Sequence, residues 1–243
     1  NDIITENIPE RSSLTGAGGL LRVLDVSEKG KYLYNKEYAK SFPRFFSTSM
    51  IEKYSWKIKK IIDNLSDGIS LIYSQYIEGG IIPMALALEE MGFSRYNSSS
   101  LFETPPSPLI DYKLKPLSNN NTKASYIIIS GNSVLSPKND ANIKAAVAKE
   151  NVNGENIKVI LISTAGSEGI DLKYIRQVHI LDPWYNMSRI EQVIGRAVRN
   201  MSHKALPFVS RNVQIFMYST MFENEEIELA DMHIYRTAEK KAI

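Results

Sequence analysis

Residues 157–199 constrain this chain more than any other stretch. They hold two short apolar runs, Val159–Ile162 and Val178–Leu181. Each gives way to small and polar residues: Ser163-Thr164-Ala165-Gly166-Ser167-Glu168-Gly169-Ile170-Asp171-Leu172 after the first, Asp182-Pro183-Trp184-Tyr185-Asn186 after the second. Short apolar runs bounded by turn residues read as strands buried in a parallel sheet. Ligands gather at the carboxyl ends of such strands. The spacing of Ile190, Val193, Ile194, Ala197 and Val198 predicts a helix over roughly 188–200 with one apolar stripe. Gln192, Arg196 and Arg199 lie off that stripe, and the two arginines share a face. Gly195, inside the helix, costs about 1 kcal/mol against alanine, which implies that something packs or binds closely there.

The same alternation runs along the chain. Ile69–Tyr73 reads as a strand that closes in Ser74-Gln75-Tyr76, and Tyr126–Ile129 as one that closes in Ser130-Gly131-Asn132; Val213–Tyr218 reads as a last strand. Helical spacing is predicted over 48–65 with Thr48 or Ser49 as cap, from Gly79-Gly80 to Met91, and from Ser136-Pro137 to about Asn151. A final helix is predicted over Glu223–Ile243, acidic first and basic last, which suits the helix dipole. Strand–helix alternation argues an α/β fold: a parallel sheet flanked by helices. Residues 94–124 hold four prolines between 105 and 116 and read as an irregular insertion. Residues 1–47 read as a linker or N-terminal extension, ahead of one domain over 48–243.

Bulk properties exclude several classes. The 243 residues contain no cysteine and three scattered histidines, so disulfides and thiolate or histidine-cluster metal sites drop out, and no metal ligand is assigned. No apolar run reaches the ~18 residues of a membrane helix, and no membrane role is expected. The start, Asn1-Asp2-Ile3, has neither Met nor a signal pattern and reads as internal to a longer protein. A net charge of +2 is mild, so phosphate contacts must come from local placement of cations and backbone N–H groups. Thr15-Gly16-Ala17-Gly18-Gly19 lacks the lysine of a phosphate loop and reads as linker or surface hairpin.

Ser163–Leu172 resembles motif V of superfamily-2 helicases, and Gln192-Val193-Ile194-Gly195-Arg196-Ala197-Val198-Arg199 resembles motif VI. Asp182-Pro183-Trp184-Tyr185-Asn186 is similar to a segment of the Swi2/Snf2-like branch, and Ser74-Gln75 to the end of motif IV. The run from Ser202 to Tyr218 further resembles helicases of large cytoplasmic DNA viruses, of the poxvirus nucleoside triphosphatase I and early transcription factor kind. The resemblance implies the C-terminal RecA-like domain of such a motor: a RecA-like parallel sheet with helices on both faces, of P-loop NTPase type without its own P-loop.

Site roles follow from the same resemblance. Arg196 and Arg199 would be arginine fingers, and Gln192 the opening glutamine. Gly169 and Asp171 would lie nearest the nucleotide, Asp171 either accepting from a ribose hydroxyl or holding an arginine in place. Ser163 and Thr164 would contact phosphate, with Ser74, Gln75 and Gly131 on the nucleic-acid side. The residues alone allow plainer readings: a capped strand end at Ser74, a tight turn at Gly131, a buried Tyr76 rather than a base-stacking one. Arg196 and Arg199 could equally pair with Glu168, Asp171, Asp182 or Glu191. No G-x-x-x-x-G-K-[ST] and no D-E-x-[HD] occurs, so ATP and Mg²⁺ would be shared with a first RecA-like domain absent from this chain. The 243 residues alone are then expected to be inactive. Expected partners are nucleic acid, DNA favoured over RNA, and subunits of a viral RNA polymerase or its transcription factors. The expected setting is viral transcription or genome processing in the cytoplasmic viral factory and the virion. A duplex translocase that does not unwind, and a non-catalytic scaffold, are the alternatives.

Overall fold

Parallel strands buried on both faces dominate the architecture. The computed structural model describes residues 15–41, 44–105, 108–119, 121–167, 169–221 and 228–242. The described elements begin with α1 (Gly16–Val23), β1 (Leu24–Val26), β2 (Tyr32–Tyr34), α2 (Lys36–Ser41), α3 (Ile51–Tyr54), α4 (Trp56–Asn64) and β3 (Ile69–Tyr73). They continue with α5 (Ile82–Met91), β4 (Ser94–Arg95), β5 (Ser125–Ile129), α6 (Asn139–Ala146) and β6 (Val159–Ile162), and end with β7 (Ile175–Ile180), α7 (Met187–Ala197), β8 (Gln214–Met217) and α8 (Ala230–Ala242). Six strands form one sheet in the order β4-β5-β6-β3-β7-β8, every pair parallel.

Side chains alternate between two apolar layers, as a period of two requires. Ile72, Tyr126, Ile128, Val159 and Leu161 join the layer shared with α1, α4 and α5. Leu71, Tyr73, Ile127, Ile160, Ile162, Val178 and Ile180 join the layer shared with α6 and α7. Helices therefore cover both faces. From β3 the chain moves out to the β4 edge, returns through β5 and β6 to lie beside β3, then crosses to β7 and β8 on the far side. Strand order thus reverses around β3, whose end, Tyr73, pairs with Ile162 and Ile180.

Two adjacent glutamates at the end of α5 fasten segments that the sequence reads as peripheral. Glu89 is buried. Its carboxylate accepts from the Tyr126 hydroxyl at 2.7 Å, from Leu101 N at 2.7 Å and Phe102 N at 3.0 Å, and from the Ser100 hydroxyl. This draws Leu101 and Phe102 into the core, so the 94–124 stretch is irregular but anchored, and it opens with the edge strand β4. Burial beside the Glu89 carboxylate pushes the Tyr126 hydroxyl well above its ordinary range. Glu90 accepts from Tyr34 Oη at 2.6 Å and from Arg44 through two nitrogens at 2.6 and 3.1 Å. Tyr34, Phe45, Phe46 and Phe102 pack as one aromatic cluster. The described part of the 1–47 stretch is therefore folded onto the domain, with Leu20 and Leu24 in its core.

Other boundaries also differ from the sequence reading. The helix predicted over 48–65 breaks at Ser55, whose backbone is extended (φ −151°, ψ 94°) and whose hydroxyl caps α4 by accepting from Ile58 N. A serine in the middle of the stretch competes for the cap position and wins. The helix predicted from Gly79 starts later, behind a π-helical turn over Ile77–Ile81. Helix α7 stops at Ala197, leaving Val198 exposed rather than on the buried stripe. Of the predicted acidic start of the last helix, 222–227 lie outside the described residues; Glu228 precedes α8 and pairs with Arg236 at 3.2 Å.

Glu89→Ala removes the acceptor of four hydrogen bonds at a buried site. Urea denaturation is expected to show a loss of about 3 kcal/mol or more, with easier proteolysis of the 96–105 segment.

Candidate motor site

At the point where strand order reverses, three loops leave the carboxyl ends of β6, β3 and β7 side by side. This is where open α/β sheets place ligands. The β3 loop begins at Ser74, which is buried. Its hydroxyl donates to the Asp182 carboxylate in the β7 loop and accepts from Tyr76 N at 3.1 Å. Gln75 Nε2 donates to the Pro183 carbonyl at 3.0 Å. Burial raises the Asp182 carboxyl above its usual range, while the Ser74 hydroxyl and the Lys57 ammonium oppose the shift. Lys57 bridges to Asp231 on α8 at 2.5 Å and reaches the Leu181 carbonyl. Ser74 and Gln75 therefore tie two loops together through their side chains. Tyr76, whose sequence context favoured burial, is 55% exposed.

Gly80 explains why these loops pack so closely. A Cβ there would lie 1.9 Å from Ser74 Oγ, inside contact distance. The loop after β6 shows the same device. Gly166 lies against the end of β5, where a Cβ would fall 2.2 Å from the Ile129 carbonyl oxygen, and a Cβ on Gly131 would fall 2.8 Å from Ala165. Gly131, read as a nucleic-acid approach or a tight turn, is sterically required by the neighbouring loop. Ser163 is buried, its hydroxyl accepting from Gly166 N at 3.4 Å. The Thr164 hydroxyl meets the Tyr73 hydroxyl at 3.0 Å.

The loop then reaches α7 through two arginines. Gln192 and Arg196 share one side of the helix, as a spacing of four demands; Arg199, expected on the same face, lies two residues past the end of α7. Arg196 Nη1 donates to the Ile170 carbonyl at 3.3 Å, and its Nε is buried with no partner among the described residues. Arg199 Nη1 binds Asp171 at 3.0 Å, and Arg199 Nε binds the Gly195 carbonyl at 3.3 Å. Of the two roles open to Asp171, this geometry displays arginine holding. Asp182 is engaged by Ser74 instead, Glu191 is exposed, and Glu168 lies outside the described residues. Gly169 has φ +70°, the left-handed region that favours glycine, with open space around it. Gln192 is exposed. Among the described residues Gly195 has no neighbour within 4 Å of a built Cβ, so none of them packs in a way that demands a glycine there.

Sequence reasoning missed Gly80 and Gly166, whose need arises from contacts distant in sequence. It also missed the stacking of Arg189 over Trp184, 5.6 Å from ring centroid to guanidinium carbon. Among the described residues no group of three or more His, Asp and Glu converges as a metal site.

Residues 110–201 match the helicase conserved C-terminal domain, and the parallel sheet flanked by helices is the α/β fold such domains have. Its relatives include the termination factor NPH-I homolog of African swine fever virus, 33% identical over 184 residues that make up 69% of this chain and 26% of that protein. A mimivirus protein named as an ATP-dependent RNA helicase is 30% identical over 240 residues, 97% of this chain and 43% of that one. A killer-plasmid helicase of Kluyveromyces lactis is 25% identical over 227 residues, 91% of this chain and 33% of that one. The chain thus spans between about a quarter and under half of these relatives.

Gly80→Ala forces Ser74 away from Asp182. It is expected to lower stability by about 1–3 kcal/mol in thermal or urea melts. Gly79→Ala, whose Cβ would rest 3.6 Å from that of Tyr76, is expected to stay within about 0.5 kcal/mol of wild type.

Proposed function

We propose that this chain is the second motor domain of an ATP-dependent nucleic-acid helicase or translocase of a large DNA virus. The observation that carries the reading is the joint between the 163–172 loop and α7. Arg196 and Arg199 staple the loop through Ile170 and Asp171, and among the described residues the buried Nε of Arg196 has no acceptor. Guanidinium groups stay charged at any working pH and match phosphate oxygens in geometry. Held at a domain face, they stabilise the negative charge that develops on a transferring phosphoryl group. The ATP itself, with its Mg²⁺, is held largely by a first RecA-like domain; Gly169, Asp171 and Gln192 border the arginines on this side. An exposed Tyr76, the Thr164 hydroxyl and backbone N–H groups of the same edge provide contacts to a nucleic-acid track that ignore base sequence. Ser74, Gln75, Ser163 and Gly131 act on that track by setting the loops. DNA is the favoured track, and service in viral transcription fits the relative named as a termination factor. On that reading the protein works beside viral polymerase or transcription-factor subunits, in the cytoplasmic factory.

The Asp182–Asn186 segment favours one variant of this reading, a translocase that moves on duplex without opening it. Triplex displacement without strand displacement would single that variant out.

In a protein joining this chain to the first RecA-like domain, ATP turnover is expected to rise when single-stranded nucleic acid is added. The isolated 243 residues are expected to show none. Tyr76→Ala is expected to weaken single-strand binding by about 1–3 kcal/mol in fluorescence anisotropy. Turnover by the isolated chain, or a full-length protein indifferent to nucleic acid, would refute the proposal.

A further inference from the structure

At the opposite end of the strands from the motor loops lies a cavity of about 320 Å³, lined by Asp67, Gly68, Tyr112, Lys113, Lys158 and Arg176 among others. Asp67 and Gly68 precede β3, Lys158 precedes β6, and Arg176 is the second residue of β7. Lys158 is only 1% exposed. Its ammonium donates to the Ser66 carbonyl at 2.5 Å, which uses one of three donors. Arg176 binds Asn212 twice, Nε to the carbonyl at 3.1 Å and Nη2 to the side-chain oxygen at 2.9 Å. Lys113 stands 5.6 Å over the Tyr112 ring. These partners are all neutral. Among the described residues none of the three cations forms an ion pair.

Buried charges are ordinarily paired. Here Lys158 is buried, Arg176 half-buried and Lys113 exposed at the rim, and the one lining carboxylate, Asp67, bridges to none of them. The backbone is shaped for this arrangement: Gly68 has φ +87°, and a Cβ there would lie 2.2 Å from Arg176 Cγ, so the glycine lets Arg176 lie across the strand edge. Burial lowers the Lys158 ammonium to about 8, with Asp67 and Glu155 pulling the other way at longer range. An ammonium held in this way gains most from an anion placed beside it.

We propose that this cavity is a second, non-motor site that takes a phosphoryl oxyanion through Lys158, Arg176 and Lys113. Glu155 and Asp111 act on Lys158 and Lys113 from beyond ion-pair distance, so the cations keep free donors, and a phosphoryl group brings several acceptor oxygens to meet them. The oxyanion comes either as a free anion or as the 5′-phosphate of a nucleic-acid end. The site does not depend on the motor reading, because none of its residues belongs to the arginine or strand-end loops.

The test is calorimetric titration of the full chain with pyrophosphate, inorganic phosphate, and oligonucleotides bearing a 5′-phosphate or a 5′-hydroxyl. Saturable pyrophosphate binding is expected, weakened at least about tenfold in both Lys158→Met and Arg176→Gln through loss of a charge-assisted hydrogen bond. In ¹³C-lysine NMR of the wild type, the Lys158 titration is expected to move upward when pyrophosphate is added, a readout that needs no variant. A 5′-phosphorylated strand bound more tightly than its 5′-hydroxyl counterpart would assign the site to nucleic-acid ends; equal binding would assign it to the free anion. Absence of saturable binding by every probe, binding unaltered in both variants, or tighter binding of a poly-glutamate peptide than of pyrophosphate would overturn the proposal.

Discussion

Strand β3 sets the geometry on which the rest of this molecule depends. It sits between β6 and β7, and both neighbours run parallel to it in fixed register. Because the register is shared, all three strands end at one level and their loops emerge together. Fully buried strands with period-two alternation tolerate no slip, since a shift of one residue would exchange the two apolar layers. The loop face at the carboxyl ends of these strands is thus a consequence of sheet packing before any polar contact forms. Ser74 with Asp182, and Gly166 with the end of β5, then fix how closely the loops approach.

The arginines depend on this scaffold at one remove. Helix α7 buries Ile190, Val193 and Ala197 against the sheet, which fixes its rotation and turns Gln192 and Arg196 off the apolar stripe; Arg199 follows just past its end. The loop after β6 provides the counterpart in Ile170 and Asp171. Arg199 is restrained by an exposed ion pair with Asp171, a contact weak in water. Among the described residues Arg196 rests on one backbone carbonyl, that of Ile170, with its Nε buried and without an acceptor.

Much of this was legible in the sequence. Ile69–Tyr73 and Val159–Ile162 were read to the residue, because a strand buried on both faces leaves a continuous apolar run bounded by turn residues. The α/β alternation and the helical stripe of α7 came from periodicity in the same way. Tertiary contacts were not legible. Nothing local marks Glu89 as the acceptor for Tyr126 and the 100–102 segment, and a glutamate inside a helix reads as solvated. Nothing local shows that Gly80 is needed by Ser74, or that Lys158 is a buried cation rather than a surface lysine at the start of a strand. Tyr76 was misjudged because an aromatic beside a strand is usually buried, whereas this one follows a loop whose inward space is filled by Ser74 and Asp182.

The central claim is that Arg196 stabilises charge during phosphoryl transfer. It is tested most directly in the protein carrying both motor halves, by comparing Arg196→Ala with wild type under saturating nucleic acid, and measuring ATP turnover and ATP affinity separately. The account predicts a fall in kcat of roughly 10³-fold or more with a much smaller change in ATP affinity. Turnover unchanged by the substitution would contradict it.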